Sequence, residues 1–172
     1  NARHQLDLYG NLKNHGHLAF TNRTAPIVDT YYTTQATDGI VDLNCLNANA
    51  DQSILCDGPS IFYRIKIDKG TDDTYILNID ATAPTNFYLL GYTKQGHPNI
   101  NQLITNDNAL ALIKGTVRIG DGVTISSLSY SGNYNISTAA QLWVDGGTVL
   151  ENIGNAIVPY GKIRITSGLL ES

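Results

Sequence analysis

The first residues of the chain bring together side chains that can break a peptide bond. Asn1 is followed closely by Arg3, His4 and Asp7. A hydroxyl residue just upstream of Asn1 can attack its own carbonyl carbon in an N-to-O acyl shift, and the resulting ester then hydrolyses. A nearby histidine acts as the base and a cation polarises the carbonyl. These four residues are therefore the predicted catalytic set for a single-turnover self-cleavage; the alternative is an exposed tail.

The origin of Asn1 bears on this chemistry, since the chain contains no methionine. An initiator methionine is normally removed only before a small residue, which asparagine is not. We therefore expect Asn1 to result from a cut, either a biological one or the edge of a fragment.

Histidines and cysteines are too few to predict a metal site. His15 and His17 share one face of an extended strand, with His4 upstream, but zinc needs three or four ligands of fixed geometry. Cys45 and Cys56 lie eleven positions apart, a spacing that permits a disulfide but lacks a C-x-x-C signature. We expect no metal, and either two ordinary thiols or one loop-closing disulfide.

The number and spacing of the carboxylates do not predict a hydrolase that acts on a separate substrate. The only glutamates are Glu151 and Glu171, and nothing in the sequence pairs an acid with a base. The sequence also has no G-x-S-x-G, P-loop or H-E-x-x-H motif, so a nucleotide would have to bind without a P-loop.

Aromatic residues suggest a second kind of site. The chain has 10 tyrosines and one tryptophan, Trp143. Aromatic rings stack on pyranose rings while asparagine and aspartate bind the hydroxyl groups, which predicts a carbohydrate surface; the alternative is that these tyrosines are half-buried at sheet edges and oligomer contacts. The candidates for the sugar surface are Tyr31, Tyr32, Tyr88, Tyr92, Tyr130 and Tyr134.

Composition limits the classes of partner. The 172 residues carry a net charge of -4, and the basic residues are scattered singly, which argues against a nucleic-acid partner. No apolar run approaches the roughly 20 residues of a membrane span. The length is enough for one domain with its own core.

Hydrophobic residues alternate with polar ones from position 61 onward, which predicts short strands. Positions 61–67 and 75–81, joined by a turn at Gly70 to Asp73, are typical of a hairpin, and Asp145-Gly146-Gly147 is a further turn signal. We predict an all-β fold, an antiparallel, jelly-roll-like β-sandwich over 60–172, preceded by an extended N-terminal arm over 1–59 whose apolar side chains pack on the sandwich or on neighbouring copies of the chain. Glycine-rich stretches also suggest a β-solenoid, but no fixed repeat period supports it.

The asparagine start, the Asn-, Gly- and Tyr-rich all-β composition and the lead-in at positions 6–12 together form a recognisable combination. It resembles the C-terminal fragment released from phage tail spikes, as in the neck-appendage proteins of small Bacillus podoviruses. The resemblance covers the whole chain, with Asn1 as the residue after the scissile bond.

The resemblance implies an intramolecular chaperone. Such a domain promotes trimerisation of a viral tail spike, is released by self-cleavage before Asn1, and leaves in an ATP-dependent step. The implied partners are two further copies in a homotrimer, the upstream spike chain and ATP. The implied location is the host cytoplasm during virion assembly, with the parent protein in the virion, and the implied class is a late viral protein. No cofactor is expected for folding. The alternative function is a receptor- or carbohydrate-binding domain at a viral fibre tip, used in host attachment.

Overall fold

The computed structural model describes residues 3–21, 40–90, 108–126, 128, 132–151 and 154–172. These residues form strands with one short 3-10 turn at Pro84–Asn86, and none of their helical structure is long and apolar enough to cross a membrane. The strands are β1 Arg3–Leu8, β2 Leu12–Asn14, β3 Leu18–Ala19, β4 Ile40–Cys45, β5 Gln52–Cys56, β6 Ser60–Phe62, β7 Arg64–Asp68, β8 Ile76–Ala81, β9 Phe87–Leu89, β10 Leu110–Ile119, β11 Thr124–Ile125, β12 Tyr134–Ile136, β13 Ala140–Leu150, β14 Ile157–Pro159 and β15 Lys162–Glu171.

Every strand pair among the described residues is parallel. A first ladder runs β1, β4, β7 and the first half of β10; a second runs β2, β5, β8, the second half of β10, β13 and β15; a third runs β3, β6 and β9. Because β10 belongs to two ladders, they form one curled sheet. The predicted antiparallel β-sandwich is therefore wrong: successive passes of the chain stack as coils of a β-solenoid.

The six coils span positions 3–19, 40–62, 64–89, 110–125, 134–150 and 157–171. Their inward side chains form continuous apolar columns, and the clearest lies in the second ladder. Its members in successive coils are Leu12, Ile54, Ile79, Ile119, Val144 and Ile165. The four members in the middle coils are at most 1% exposed, so the core is a stack of side chains along the solenoid axis.

The predicted hairpin fails because alternation has the same period of two in parallel and antiparallel sheets. β7 and β8 follow each other in sequence, yet β7 pairs with β4 and β10, and β8 pairs with β5 and β10. The turn containing Gly70, whose φ is 60°, is a corner between two ladders. Asp145-Gly146-Gly147 lies inside β13, where the register with β15 shifts.

Unequal coil lengths hide the repeat. Leu12 faces Ile54, 42 positions later, and Ile54 faces Ile79, 25 positions later. The next offset in this column is 40, from Ile79 to Ile119.

The segment predicted as an N-terminal arm adds strands β1 to β5 to the same ladders as the later coils, so its described part is not an extended arm.

A buried lysine ties the corners of the first three coils together. The ammonium of Lys69 donates hydrogen bonds to the carbonyl oxygens of Asn47 at 2.9 Å and Ala50 at 2.8 Å, and to Oε1 of Gln52 at 2.8 Å. Nε2 of Gln52 in turn donates to the carbonyl oxygens of Leu8 at 2.9 Å and of residue 10 at 2.8 Å. Burial lowers the pKa of Lys69, and these oxygens satisfy its charged form.

Truncating a side chain in the middle of the column should destabilise the protein much more than truncating one at its end. Ile119→Ala should lower the free energy of unfolding by about 2–5 kcal/mol, because it leaves a cavity in a fully buried stack. Ile165→Ala should cost about 1 kcal/mol or less, since Ile165 is 54% exposed. Urea unfolding followed by circular dichroism measures both, and equal losses would contradict the stacked column.

Candidate functional site

The outer face of the second ladder carries a row of large polar and aromatic side chains. Asn78, Arg118, Trp143 and Arg164 are register partners in four successive coils. They alternate along their strands with the inward apolar residues, so they project outward. We call the following residues the Trp143 site: Asp80, Arg118, Trp143, Asp145, Arg164 and Thr166.

Trp143 lies between two guanidinium groups. Cζ of Arg164 is 4.1 Å from the centroid of the indole ring, and Cζ of Arg118 is 5.7 Å from it. Both separations are within the range of cation–π attraction. The indole Nε1 donates a hydrogen bond to Oγ1 of Thr166 at 2.9 Å. The ring is therefore held from both neighbouring coils while remaining half-buried, with part of its surface in contact with solvent.

Arg118 joins carboxylates from the coil before it and the coil after it. Its Nη1 donates to both carboxylate oxygens of Asp80, at 3.0 and 3.1 Å, and its Nε donates to Oδ2 of Asp145 at 2.7 Å. Gly120 leaves the room for this arrangement, because a Cβ there would lie 1.9 Å from Oδ1 of Asp80. The guanidinium thus fixes two acidic side chains on the same surface.

The pKa of Asp145 is lowered, first by the hydrogen bond that the hydroxyl of Thr166 donates and then by the hydrogen bond from Arg118. Ser167 also donates to Oδ1 of Asp145 at 3.4 Å. A carboxylate held ionised in this way accepts hydrogen bonds well and is a poor general acid, because that role needs a raised pKa.

The Trp143 site predicts a measurable pKa. In carbon-detected NMR titrations the Asp145 carboxyl should titrate below the ordinary value of about 3.9, and Thr166→Val should move its pKa upward. The stability that Asp145 contributes should be present above about pH 3.9 and be lost as the pH falls through its lower native pKa. Thr148→Val, which alters a threonine of β13, the strand that carries Asp145, is the matched control. An unchanged Asp145 pKa in Thr166→Val would contradict the assigned contact.

The predicted cleavage residues lie on the first strand or outside the described part. Asn1 and the side chain of Arg3 lie outside the described residues. His4 and Asp7 are both exposed and, being three positions apart on an extended strand, project to opposite faces. Oδ1 of Asp7 accepts a hydrogen bond from Nδ2 of Asn44 at 2.8 Å. The catalytic role of these residues stays a prediction.

The predicted tyrosine surface lies mostly beyond the described residues. This is true of Tyr31, Tyr32, Tyr92 and Tyr130. Tyr134 is buried, and its hydroxyl donates to the carbonyl oxygen of Leu110 at 2.8 Å, while Tyr88 is half-buried in β9. Tyr134 is therefore a core residue rather than a surface aromatic.

His15, one of the two neighbouring histidines, contacts a carboxylate. Nδ1 of His15 lies 2.8 Å from Oδ2 of Asp57, and the hydroxyl of Thr82 donates to Oδ1 of Asp57 at 3.0 Å. The hydrogen bond from His15 is the main reason that the pKa of Asp57 is lowered. In the described part of the chain, no three His, Cys, Asp or Glu residues are grouped to hold a metal ion.

The two glutamates are brought together at the fifth and sixth coils. The backbone N–H of Glu151 donates to the carbonyl oxygen of Glu171 at 2.9 Å. Both residues line a cavity of about 290 Å³ together with Leu150, Gly154 and Ser172. Glu171 is exposed, so its carboxylate stays hydrated, and the cavity holds acidic groups without a cation among its lining residues.

Both cysteines are free and buried, so the two-thiol alternative is the one the structure shows. Burial raises the pKa of Cys45 to about 12, and burial also raises the pKa of Cys56. Since the thiolate is the reactive form, neither is a nucleophile at neutral pH.

This burial predicts an inert pair of thiols. In native protein at pH 8, Ellman's reagent should modify neither Cys45 nor Cys56, and in denaturant it should modify both. Raising the pH above about 8.5 should begin to destabilise the fold, because the unfolded thiol ionises there while native Cys45 stays protonated. Rapid modification of the native protein would contradict the placement of these residues.

Comparison with known protein families, with curated proteins and with solved structures finds no match to this chain. The function must therefore be argued from the geometry of the site itself.

Proposed function

We propose that this chain is a carbohydrate-binding β-solenoid that holds a neutral, extended glycan on the outer face of its second ladder. The observation that carries the proposal is the Trp143 site, where one aromatic ring lies among guanidinium and carboxylate groups from neighbouring coils. This is the predicted carbohydrate-binding alternative, now assigned to Trp143 in place of a tyrosine surface.

The chemistry of the site suits sugars. The solvent-exposed part of the indole, between the two guanidinium groups, offers an apolar contact to the C–H groups of a pyranose. The carboxylates and guanidinium groups bind neighbouring hydroxyls as acceptors and donors. Asp80 and Asp145 balance Arg118 and Arg164 in charge, which favours a neutral ligand over a polyanion. The ion pairs of Arg118 with Asp80 and Asp145 hold these three side chains in place before binding, which reduces the entropic cost of association.

The shape of the site suits a chain of sugars rather than a single one. Neighbouring strands of a sheet lie about 4.8 Å apart, so the four-coil row from Asn78 to Arg164 extends over roughly 14 Å. A glycan lying along this row would cross the strands and contact one large side chain per coil.

Binding without hydrolysis is the expected outcome. Glycoside hydrolysis needs one carboxylic acid with a raised pKa opposite a carboxylate. Asp145 has a lowered pKa, so it is a poor proton donor, and Arg118 already engages the carboxylates of both Asp80 and Asp145. We expect glycans to be recovered intact after incubation with the protein.

The chaperone function implied by the resemblance stays a prediction. It comprises self-cleavage before Asn1, trimerisation of a spike, and ATP-dependent release, and it has its own test in expression with the natural upstream segment. A viral fibre tip, where host attachment takes place, is one setting in which a glycan-binding module would act.

A glycan array followed by calorimetry tests the proposal. We expect wild-type protein to bind neutral oligosaccharides, and Trp143→Ala to weaken that binding about tenfold or more, as is usual for a central aromatic contact. Tyr9→Ala is the matched control, since Tyr9 is an aromatic residue of the first coil and is 62% exposed. It should leave the affinity unchanged.

Two results would overturn the proposal. One is the absence of binding to any glycan on the array by folded wild-type protein. The other is equal affinity of wild type and Trp143→Ala when both have the same circular dichroism spectrum and melting temperature.

A further inference from the structure

The exposed apolar surface of the described residues is concentrated at the two ends of the solenoid. All six large hydrophobic side chains that are exposed belong to the first or the last coil: Leu6, Tyr9, Tyr160, Ile163, Ile165 and Leu169. In the last coil Ile165 is 54% exposed and Leu169 is 46% exposed. The middle coils cover their own apolar side chains by stacking, whereas the first and the last coil each have a neighbouring coil on one side only among the described strands.

The two ends also carry unsatisfied strand edges. Among the described strands, β15 pairs only with β13, while β1 pairs only with β4 and β2 only with β5. The ten residues of β15 therefore present one free edge of backbone N–H and C=O groups, a template for a further strand.

The two ends are complementary in register. Leu12 in the first coil and Ile165 in the last coil are opposite ends of one inward column. Suppose that the first coil of one copy lies on the last coil of another copy. Leu12 of the one then lies next to Ile165 of the other and continues that column with the same strand direction. The neighbouring Lys13 then falls beside Thr166, which binds Asp145, so a cation approaches an acidic partner.

We propose that copies of this chain associate head to tail, with the first coil of one copy seated on the last coil of the next. Such a contact is heterologous, because two different surfaces meet, and it leaves one free end at each terminus of the assembly. A twofold end-to-end contact would reverse the strand direction, whereas translation along the axis keeps the strands parallel and continues the second ladder from β15 of one copy to β2 of the next. The proposal is independent of glycan binding at Trp143.

Two variants that block opposite ends test the proposal. Ile165→Lys places a charge on the last coil, and Leu6→Lys places one on the first, where Leu6 is 41% exposed. Both positions are already open to solvent, so both variants should fold, which circular dichroism and thermal melting verify. Sedimentation velocity and light scattering then give the mass of each protein alone and of their mixture.

Head-to-tail association predicts a distinct set of masses. Wild type should exceed twice its monomer mass of 18.6 kDa as concentration rises, and each variant alone should be monomeric. An equimolar mixture should form a one-to-one dimer, because Leu6→Lys keeps its last coil and Ile165→Lys keeps its first coil. Trp143→Ala should behave as wild type.

Each other outcome overturns the proposal. A Leu6→Lys variant that dimerises alone while Ile165→Lys is monomeric would show a twofold contact between last coils. A wild type that stays monomeric at all concentrations would show that the ends do not meet in solution. A side-by-side oligomer, such as the predicted trimer, would persist in both variants and would not depend on mixing.

Discussion

The register of inward side chains from one coil to the next is the constraint on which the rest of this structure depends. Each buried residue of a column, such as Ile79 or Ile119, is covered by the residues of the coils on either side. A slip of one residue would turn every apolar side chain of a strand outward, so the columns fix the pairing strongly. The buried ammonium of Lys69 stabilises the same register at one corner through its hydrogen bonds. Its oxygen partners are in place only when the second and third coils are in register.

The same register builds the candidate site. Arg118 can reach Asp80 and Asp145 because the three residues stand on neighbouring coils, and Trp143 meets Arg164 for the same reason. No two residues of the site are close in sequence, except within β13 and within β15. Gly120 keeps the space beside Asp80 open. The arrangement of these side chains on the outer face is thus a consequence of the packing inside.

The sequence predicted the strands better than their arrangement. Alternation at positions 75–81 located β8, whereas the single strand predicted at 61–67 is divided between β6 and β7 of two ladders. Alternation is also equal in parallel and antiparallel sheets. The offsets between Leu12, Ile54 and Ile79 differ by 17 positions, which removed the fixed period that would have favoured the solenoid.

Trp143 was visible as the one tryptophan, whereas its partners could be found only by aligning outward positions of coils about 25 residues apart, as for Arg118 and Trp143. Burial of Tyr134 depends on long-range packing, so its type alone suggested a surface role that it does not have.

Trp143 is the one tryptophan of the chain, so its fluorescence reports directly on the site. The most direct measurement is a titration of folded wild-type protein with a neutral oligosaccharide that it binds, following Trp143 emission and its quenching by acrylamide. The account predicts a saturable change in emission and a decrease in quenching, with the same dissociation constant as calorimetry gives. Binding that leaves both emission and quenching unchanged would place the glycan elsewhere and contradict the account.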